Sequence, residues 1–317
     1  MPLSILDDEE IRMYPVIRAK NRTETLVQKE KRLACGDWVE YLTFPKLSAI
    51  EGIEHLFTTR LGGVSKGDCA TLNFSFTRGD DRSAVLENYD RMGEVLGVEK
   101  GAFVTTDQTH TKNIRVVTKE DAGKGVTCNR DYTDIDGLIT AEKGLVLSCF
   151  TADCVPVYFV DPVKEVIGVA HSGWRGTVAG MGARMVERMS QEFGCEPADI
   201  IAAIGPSICQ DCYEISEEVA ELFMQGFWSA EKIEEYCREA YEAGLHPTGK
   251  LLLPGKEAGK YQLDLWLANV VVLRSAGILL KNLDVTDICT NCNPEYLFSH
   301  RASGGKRGNL GAFLVMK

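Results

Sequence analysis

Histidine is scarce in this chain of 317 residues: five occur, at His55, His110, His171, His246 and His300. None forms a His-x-His pair, and a multinuclear copper cluster needs several such imidazoles. Five scattered histidines therefore argue against phenol oxidation by a multicopper route. Positive charge is also short, with 35 Lys and Arg against 46 Asp and Glu and a net charge of −11. That balance disfavours nonspecific binding to nucleic acid or to an anionic membrane. It leaves room for a small neutral nucleoside, while a larger anion would need a locally basic pocket. No apolar run approaches the roughly 20 residues of a membrane span. The acidic start "MPLSILDDEEIRMYP" lacks the apolar centre of a signal peptide. The H-x-E and P-C-x-x-C pattern of zinc deaminases is missing, which speaks against an ordinary cytidine-deaminase fold. Repeats, low-complexity tracts and Pro/Ser-rich linkers are missing too, so one compact domain is expected.

What is present suits a globular chain, with 44% hydrophobic and 26% charged residues. Eleven cysteines, an odd number without a secretory signal, point to reduced thiols and a cytoplasmic protein. The expected assembly is a monomer or a weak homo-oligomer. Strands are expected at "YPVIRA", "VEYLTF" and "HLFTT", and a helix over Ser83–Leu96 with Gly97 as its stop. Short strands follow at "FVTTDQTH", "NIRVVT", "GLIT" and "LVLSCF". "VPVYFVDPVKEVIGVAH" predicts a β-hairpin turning at "DPVKE". A helix from about Val178 to Phe193 carries Met181, Met185, Met189 and Phe193 on one face. That row reads as core packing rather than a cofactor box. "IIAAIGPSI" is a buried strand, a helix lies near 216–225, and 226–260 reads as a charged insertion. "LDLWLANVVVLRSAG" is an apolar helix ending near Gly277. The C-terminal stretch predicts two short strands around a Gly-rich turn. Strands and helices interleave without regular βαβ units, so the fold class is α/β of a mixed α+β kind, with mixed sheets flanked by helices.

Three residues converge on chemistry: His110 in "DQTHTKN", Cys154 in "TADCVPV" and His171 in "GVAHSGWRGT". The hairpin places Cys154 and His171 at the same open end, and His110 is expected at the end of another apolar strand. One Cys and two His match an open catalytic zinc site with water in the fourth position. Each residue also has an ordinary reading, as a small buried hydrophobe or a hydrogen-bonded histidine. Asp153, next to Cys154, is expected to orient a histidine from behind. "SGWRGT" opens a helix, so Gly173, Trp174 and Arg175 suggest an anion pocket. Arg60, before the Gly-Gly turn of "TTRLGGVS", suggests a second. Phosphate is the first anion to test. Two CxxC pairs, Cys209/Cys212 and Cys289/Cys292, are separated by 76 residues. That exceeds zinc-ribbon spacing and argues against a joint site. The basic tail "SHRASGGKRG" is a weak nucleic-acid signal.

The motifs "TTRLGGVS", "LNFSF…GDD", "ENYDRM", "DQTH", "DGLIT", "TADCVPV", "AHSGWRG", "IGPSI…CYE" and "CT…LFSHR" stand in the order of the YfiH-like laccase-domain family. The chain resembles that family from about residue 54 onward. The division implied is an N-terminal β-rich extension, 1–53, packed on a catalytic domain, 54–317, with an insertion at about 226–260. The resemblance implies Zn2+ held by His110, Cys154 and His171, with copper as the alternative metal. It implies phosphorolysis of adenosine, inosine, guanosine and methylthioadenosine, and deamination of adenosine. Purine nucleosides and phosphate are then the partners, with no nucleic acid and no membrane. Arg60 would lie near substrate or phosphate, as would Asn73 and Gln108 in their motifs. Thr111 stands where the family often has Gly, and His300 where Tyr is common. Two other readings remain open. One is a Cys–His hydrolase acting on peptidoglycan precursors, with Cys154 as nucleophile and His171 as base. The other is copper-dependent polyphenol oxidation.

Overall fold

The computed structural model describes residues 19–20, 25–225 and 229–317. Short, mostly apolar runs build most of its strands. In chain order they are β1 (Val27–Arg32), β2 (Trp38–Thr43), β3 (Ile53–Thr58), β4 (Phe103–Thr105) and β5 (Ile114–Val116). There follow β6 (Gly137–Thr140), β7 (Val146–Thr151), β8 (Val155–Asp161), β9 (Val166–Ser172) and β10 (Ile201–Ile204). The last are β11 (Glu214–Ser216), β12 (Leu252–Pro254), β13 (Lys260–Leu263), β14 (Leu283–Val285) and β15 (Leu310–Met316). Two six-stranded sheets run β1-β2-β3-β15-β7-β4 and β14-β10-β8-β9-β6-β5, and β11-β13-β12 form a small third sheet.

The two large sheets share a core of Leu42, Phe57, Leu147, Tyr158, Val169 and Leu314. β15 shows why: Leu310, Ala312 and Leu314 face that core, while Phe313 and Val315 join Tyr89 and Met92 of the helix Arg82–Leu96. On the second sheet, Val157, Phe159 and Ala170 pack under the helices Met181–Phe193 and Leu265–Ser275. Both sheets are thus buried on both faces, and each fully buried Leu, Val or Phe contributes about 1.5–3 kcal/mol. The result is a mixed α/β domain of helix, sheet, sheet and helix layers.

Several expectations meet this frame directly. The helix Arg82–Leu96 is capped by Asp81, which accepts from the Ser83 N–H, and ends at Gly97 in a left-handed conformation. The hairpin β8–β9 pairs from Val155↔Ser172 to Asp161↔Val166. Met181, Met185 and Met189 are buried in the core. The helix expected from about Val178 to Phe193 is Met181–Phe193, and a separate short helix, Trp174–Val178, precedes it, because Gly180 takes φ 74 between them. "FVTTDQTH" is strand only at Phe103–Thr105. The C-terminal stretch has one strand, β15. The four-residue helix His300–Ser303 precedes it, and the polar chain before that is tied down by loop hydrogen bonds such as Thr290 N to Ser207 O. β1 was not expected: its residues VQKEKR are mostly exposed, as on an edge strand, so no apolar alternation announces it. "YPVIRA" lies outside the described residues except for Ala19. Within 229–260, the helix Ala230–Glu242 and β12 lead into β13, which pairs with β11.

Candidate metal centre

The open end of the β8–β9 hairpin carries the chemistry. Cys154 immediately precedes β8, and His171 sits in β9 opposite Pro156. His110 comes from the loop after β4, with φ 66, rather than from a strand end. The three donor atoms lie within 4.8 Å of one another. Cys154 Sγ is 3.8 Å from His110 Nε2, and the two imidazoles meet edge to face with centroids 4.8 Å apart. The fold thus brings all three residues to one place.

The carboxylate behind them is Asp136, not Asp153. Asp136 precedes β6, whose Gly137 pairs with Ala170, so the chain delivers it beside His171. Its Oδ1 accepts from His171 Nδ1 at 2.7 Å. The same carboxylate accepts from the N–H groups of Thr109, His110 and Thr111 and from Thr111 Oγ1. One fully buried side chain therefore fixes the His171 ring and the whole His110 loop. Thr111, the residue that departs from the family pattern, adds a hydroxyl to that set. Asp153 instead accepts from Thr290 Oγ1 and the Arg301 N–H, tying the Cys154 segment to the C-terminal loop. The signal for Asp136 in the sequence was only an acidic residue heading an apolar strand.

Electrostatics follow from this packing. Burial alone would push the Cys154 thiol up, but His171 and His110 overcome it and bring it down to about 6. Burial likewise opposes charge on His171, yet Cys154 and Asp136 raise it to about 9. Burial would raise Asp136 as well, and its bonds to His171 and to backbone N–H groups hold it below the usual carboxylate range.

The donor set fits a metal ion. With Nδ1 of His171 bonded to Asp136, Nε2 is left as the donor nitrogen. Gly173 keeps the space clear: a Cβ there would lie 2.9 Å from His110 Cδ2 and 3.1 Å from Cys154 Sγ. Two imidazoles and one thiolate, facing a cleft of about 620 Å³, make a three-donor site with one side open.

Cleft walls include Phe76, Tyr132, Gln108 and Arg307. Both ends of the Gln108 amide bond the backbone of Phe150, so its role there is to shape the wall. Arg307 was missed, because "GGKRG" read only as a basic tail. Its Nε is buried without a partner, and burial together with Arg78 brings its guanidinium down to about 10. Arg60 is a correction. Its guanidinium donates to Ala70 O and Pro294 O and lies 4.5 Å over the Phe298 ring, so it is committed to the fold. Asn73 is another: fully buried, it bonds Ser75, Asp80 and the Asn309 N–H. Arg175 stacks 4.2 Å over Trp174, and neither lines this cleft. The remaining histidines are engaged or remote. His55 accepts from the Phe44 N–H, His246 bonds Asp264, and His300 packs by Gly305.

The CxxC pairs are a further correction. Cys209, Cys212, Cys289 and Cys292 come together, with all four sulfurs within 4.8 Å.

Comparison with known proteins gives concordant matches. The family model described as multi-copper polyphenol oxidoreductase laccase matches residues 54–317. The purine nucleoside phosphorylase YlmD of Bacillus subtilis (strain 168) is 34% identical over 265 residues, 82% of this chain and 87% of its own length. A protein named adenosine deaminase RL5, from an unknown prokaryotic organism, is 31% identical over 271 residues, 85% of this chain and 95% of its own. The crystal structure of YlmD from Geobacillus stearothermophilus superposes with a TM-score of 0.75 at 34% identity, covering 87% of this chain and 96% of that one.

Proposed function

The chain belongs to the family described as multi-copper polyphenol oxidoreductase laccase, and on that premise we propose that it is a zinc-dependent purine nucleoside phosphorylase that also deaminates adenosine. The nucleosides are adenosine, inosine, guanosine and methylthioadenosine, and the second substrate is phosphate. The names of its relatives support the reaction class. The observation that carries the reading is the His110–Cys154–His171 group on the wall of the cleft that Arg307 also lines. Phosphorolysis joins a phosphate oxygen to the sugar carbon as its bond to the base breaks. Arg307 lines this wall, with Nη1 donating to Gly308 O, and its guanidinium is the group suited to hold that phosphate. Phe76, stacked on Tyr89 beneath Arg82, and Tyr132, beneath Arg115, line the cleft where the base would lie. Asp136 holds the proton on His171 Nδ1, which keeps Nε2 free as a donor. When bound at His110, Cys154 and His171, zinc supplies a Lewis acid that brings the pKa of water towards neutrality.

Zinc suits this donor set better than a copper cluster does. Only two of the five histidines reach the site, and the other three lie in separate parts of the fold. That is too few imidazoles for the multicopper route.

A second reading keeps one specific observation in its favour: a low-pKa thiol 3.8 Å from an imidazole, as in a Cys–His hydrolase. Alkylation of zinc-loaded protein separates the two, since a Cys154 that reacts freely with zinc fully bound removes it from the ligand set. The reaction itself is tested with inosine and zinc-loaded protein. Hypoxanthine and ribose 1-phosphate are expected in equal amounts and only with phosphate. Hypoxanthine release without phosphate overturns phosphorolysis.

A further inference from the structure

Away from the cleft wall just described, the four cysteines of the two CxxC pairs form a built cluster. β10 and β14 are parallel neighbours, with Ile204 opposite Val285. The loops that leave them therefore start at the same end of the sheet. One carries Cys209 and Cys212, the other Cys289 and Cys292. A bridge between Ser207 and Cys289 and the bond from Thr290 N to Ser207 O hold the loops side by side. Sheet adjacency, rather than sequence spacing, brings the pairs together.

The sulfur geometry matches one kind of ligand. Cys212 and Cys292 are 3.5 Å apart, and no sulfur is more than 4.8 Å from another. All four are free thiols. Tetrahedral zinc with Zn–S bonds of about 2.3 Å places its sulfurs roughly 3.8 Å apart. The first pair sits on a tight turn, Gln210–Cys212, in which Cys212 N donates to Cys209 O. Cys209 N in turn donates to Cys289 Sγ at 3.3 Å, a bond that favours a thiolate there. Cys209 and Cys289 are buried, and Cys212 and Cys292 are half-buried.

Four thiolates around a divalent ion carry a net charge of −2, which a nearby cation offsets. Lys20 occupies that place. Burial alone would lower its ammonium pKa, but Cys209, Asp211 and Cys292 raise it above the usual lysine value. Its Nζ is 3.1 Å from Asp211, inside the first CxxC turn.

We propose that Cys209, Cys212, Cys289 and Cys292 hold a second, structural Zn2+ ion, separate from the one at His110, Cys154 and His171. Its position gives it a mechanical task. Thr290, inside the second pair, donates to Asp153 Oδ1, and Ile208 N, beside the first pair, donates to Asp153 O. Asp153 precedes Cys154, so the tetrathiolate braces the wall that carries a cleft ligand. The inference does not depend on the reaction proposed above.

Metal analysis of the full chain, purified under reducing conditions without chelator, tests it. Two zinc ions per chain are expected. Cys212→Ser and Cys292→Ser each lose one and keep the other, while His110→Ala loses the opposite one. Where the serine variants fail to fold, X-ray absorption on the wild type with His110→Ala decides. Its remaining zinc shows four sulfur neighbours and no nitrogen. Mass spectrometry after alkylation of the native protein gives a second readout, with all four cysteines protected until a strong chelator is added. A wild type with a single zinc that His110→Ala removes overturns the proposal. So does a Cys212–Cys292 disulfide in the reduced preparation, or iron in place of zinc at the four sulfurs.

Discussion

Asp136 Oδ1 lies 2.7 Å from His171 Nδ1, and the same carboxylate accepts three consecutive backbone N–H groups from Thr109 to Thr111. One buried acid thereby orients a donor on β9 and holds the loop that delivers a second donor. The two histidines are 61 positions apart in the chain, and a single side chain sets their relation. Asp136→Asn keeps the shape but brings an amide that must donate where acceptors are needed. Zinc affinity measured by competition with a chromophoric chelator is expected to fall about 10–100-fold. Thermal stability falls as well, by about 1–3 kcal/mol for each buried N–H left without a partner. Unchanged affinity would show that Asp136 has no part in the site.

Gly173→Ala probes the space at the centre. Gly173 has φ −64, so alanine meets no backbone strain. Its Cβ would instead press on His110 and Cys154 at 2.9 and 3.1 Å. A displacement of about 1 Å at such a centre costs on the order of 10²-fold in rate. The expected result is a folded protein with an unchanged circular dichroism spectrum and about that loss in turnover. Full activity in Gly173→Ala contradicts the crowded geometry.

Arg307→Met removes the guanidinium from the cleft wall. A hydrogen bond to a charged group is worth about 1.5–3 kcal/mol, so KM for phosphate should rise about 10–100-fold. Deamination uses no phosphate and should fall far less. Steady-state kinetics of both reactions on one preparation give the comparison, and an equal loss in both removes Arg307 from the phosphate site.

The metal-stripped protein should show its ion pair in reactivity rather than in stability. The depressed pKa of Cys154 stabilises the fold above the unfolded thiol value, and that contribution is lost as pH falls through about 6. The raised pKa of His171 stabilises below the unfolded imidazole value of about 6.5, and is lost as pH rises through about 9. Across the window between them the two slopes cancel, since one proton is bound by the pair in both the folded and unfolded chain. Alkylation of Cys154 in stripped protein should therefore reach half its maximal rate near pH 6, while Tm changes little from this pair. A midpoint at the ordinary thiol value of about 8.5 would falsify the pairing.

Much of the layer structure was legible because its cause is local. Continuous apolar runs in β8, β9 and β15, and the capped helix Arg82–Leu96, follow from local composition and from Asp81 and Gly97 at the helix ends. β1 was not legible, since a polar edge strand takes its conformation from β2 rather than from its own residues. The break at Gly180 was hidden by an apolar period that continues across it.

Residue types and short-range order were enough to single out His110, Cys154 and His171 as candidates, and the hairpin placed the last two at one end; their role as a ligand set came from the family resemblance. Partnership over long range was another matter. That Asp136 rather than Asp153 backs His171, that Arg60 serves the fold while Arg307 faces the cleft, and that two CxxC pairs 76 residues apart share one place all depend on which strands lie side by side. Hydrogen bonds and metal ligation act over a few ångströms. Strand pairing and sheet packing bring distant positions within that reach, and no spacing along the chain encodes it.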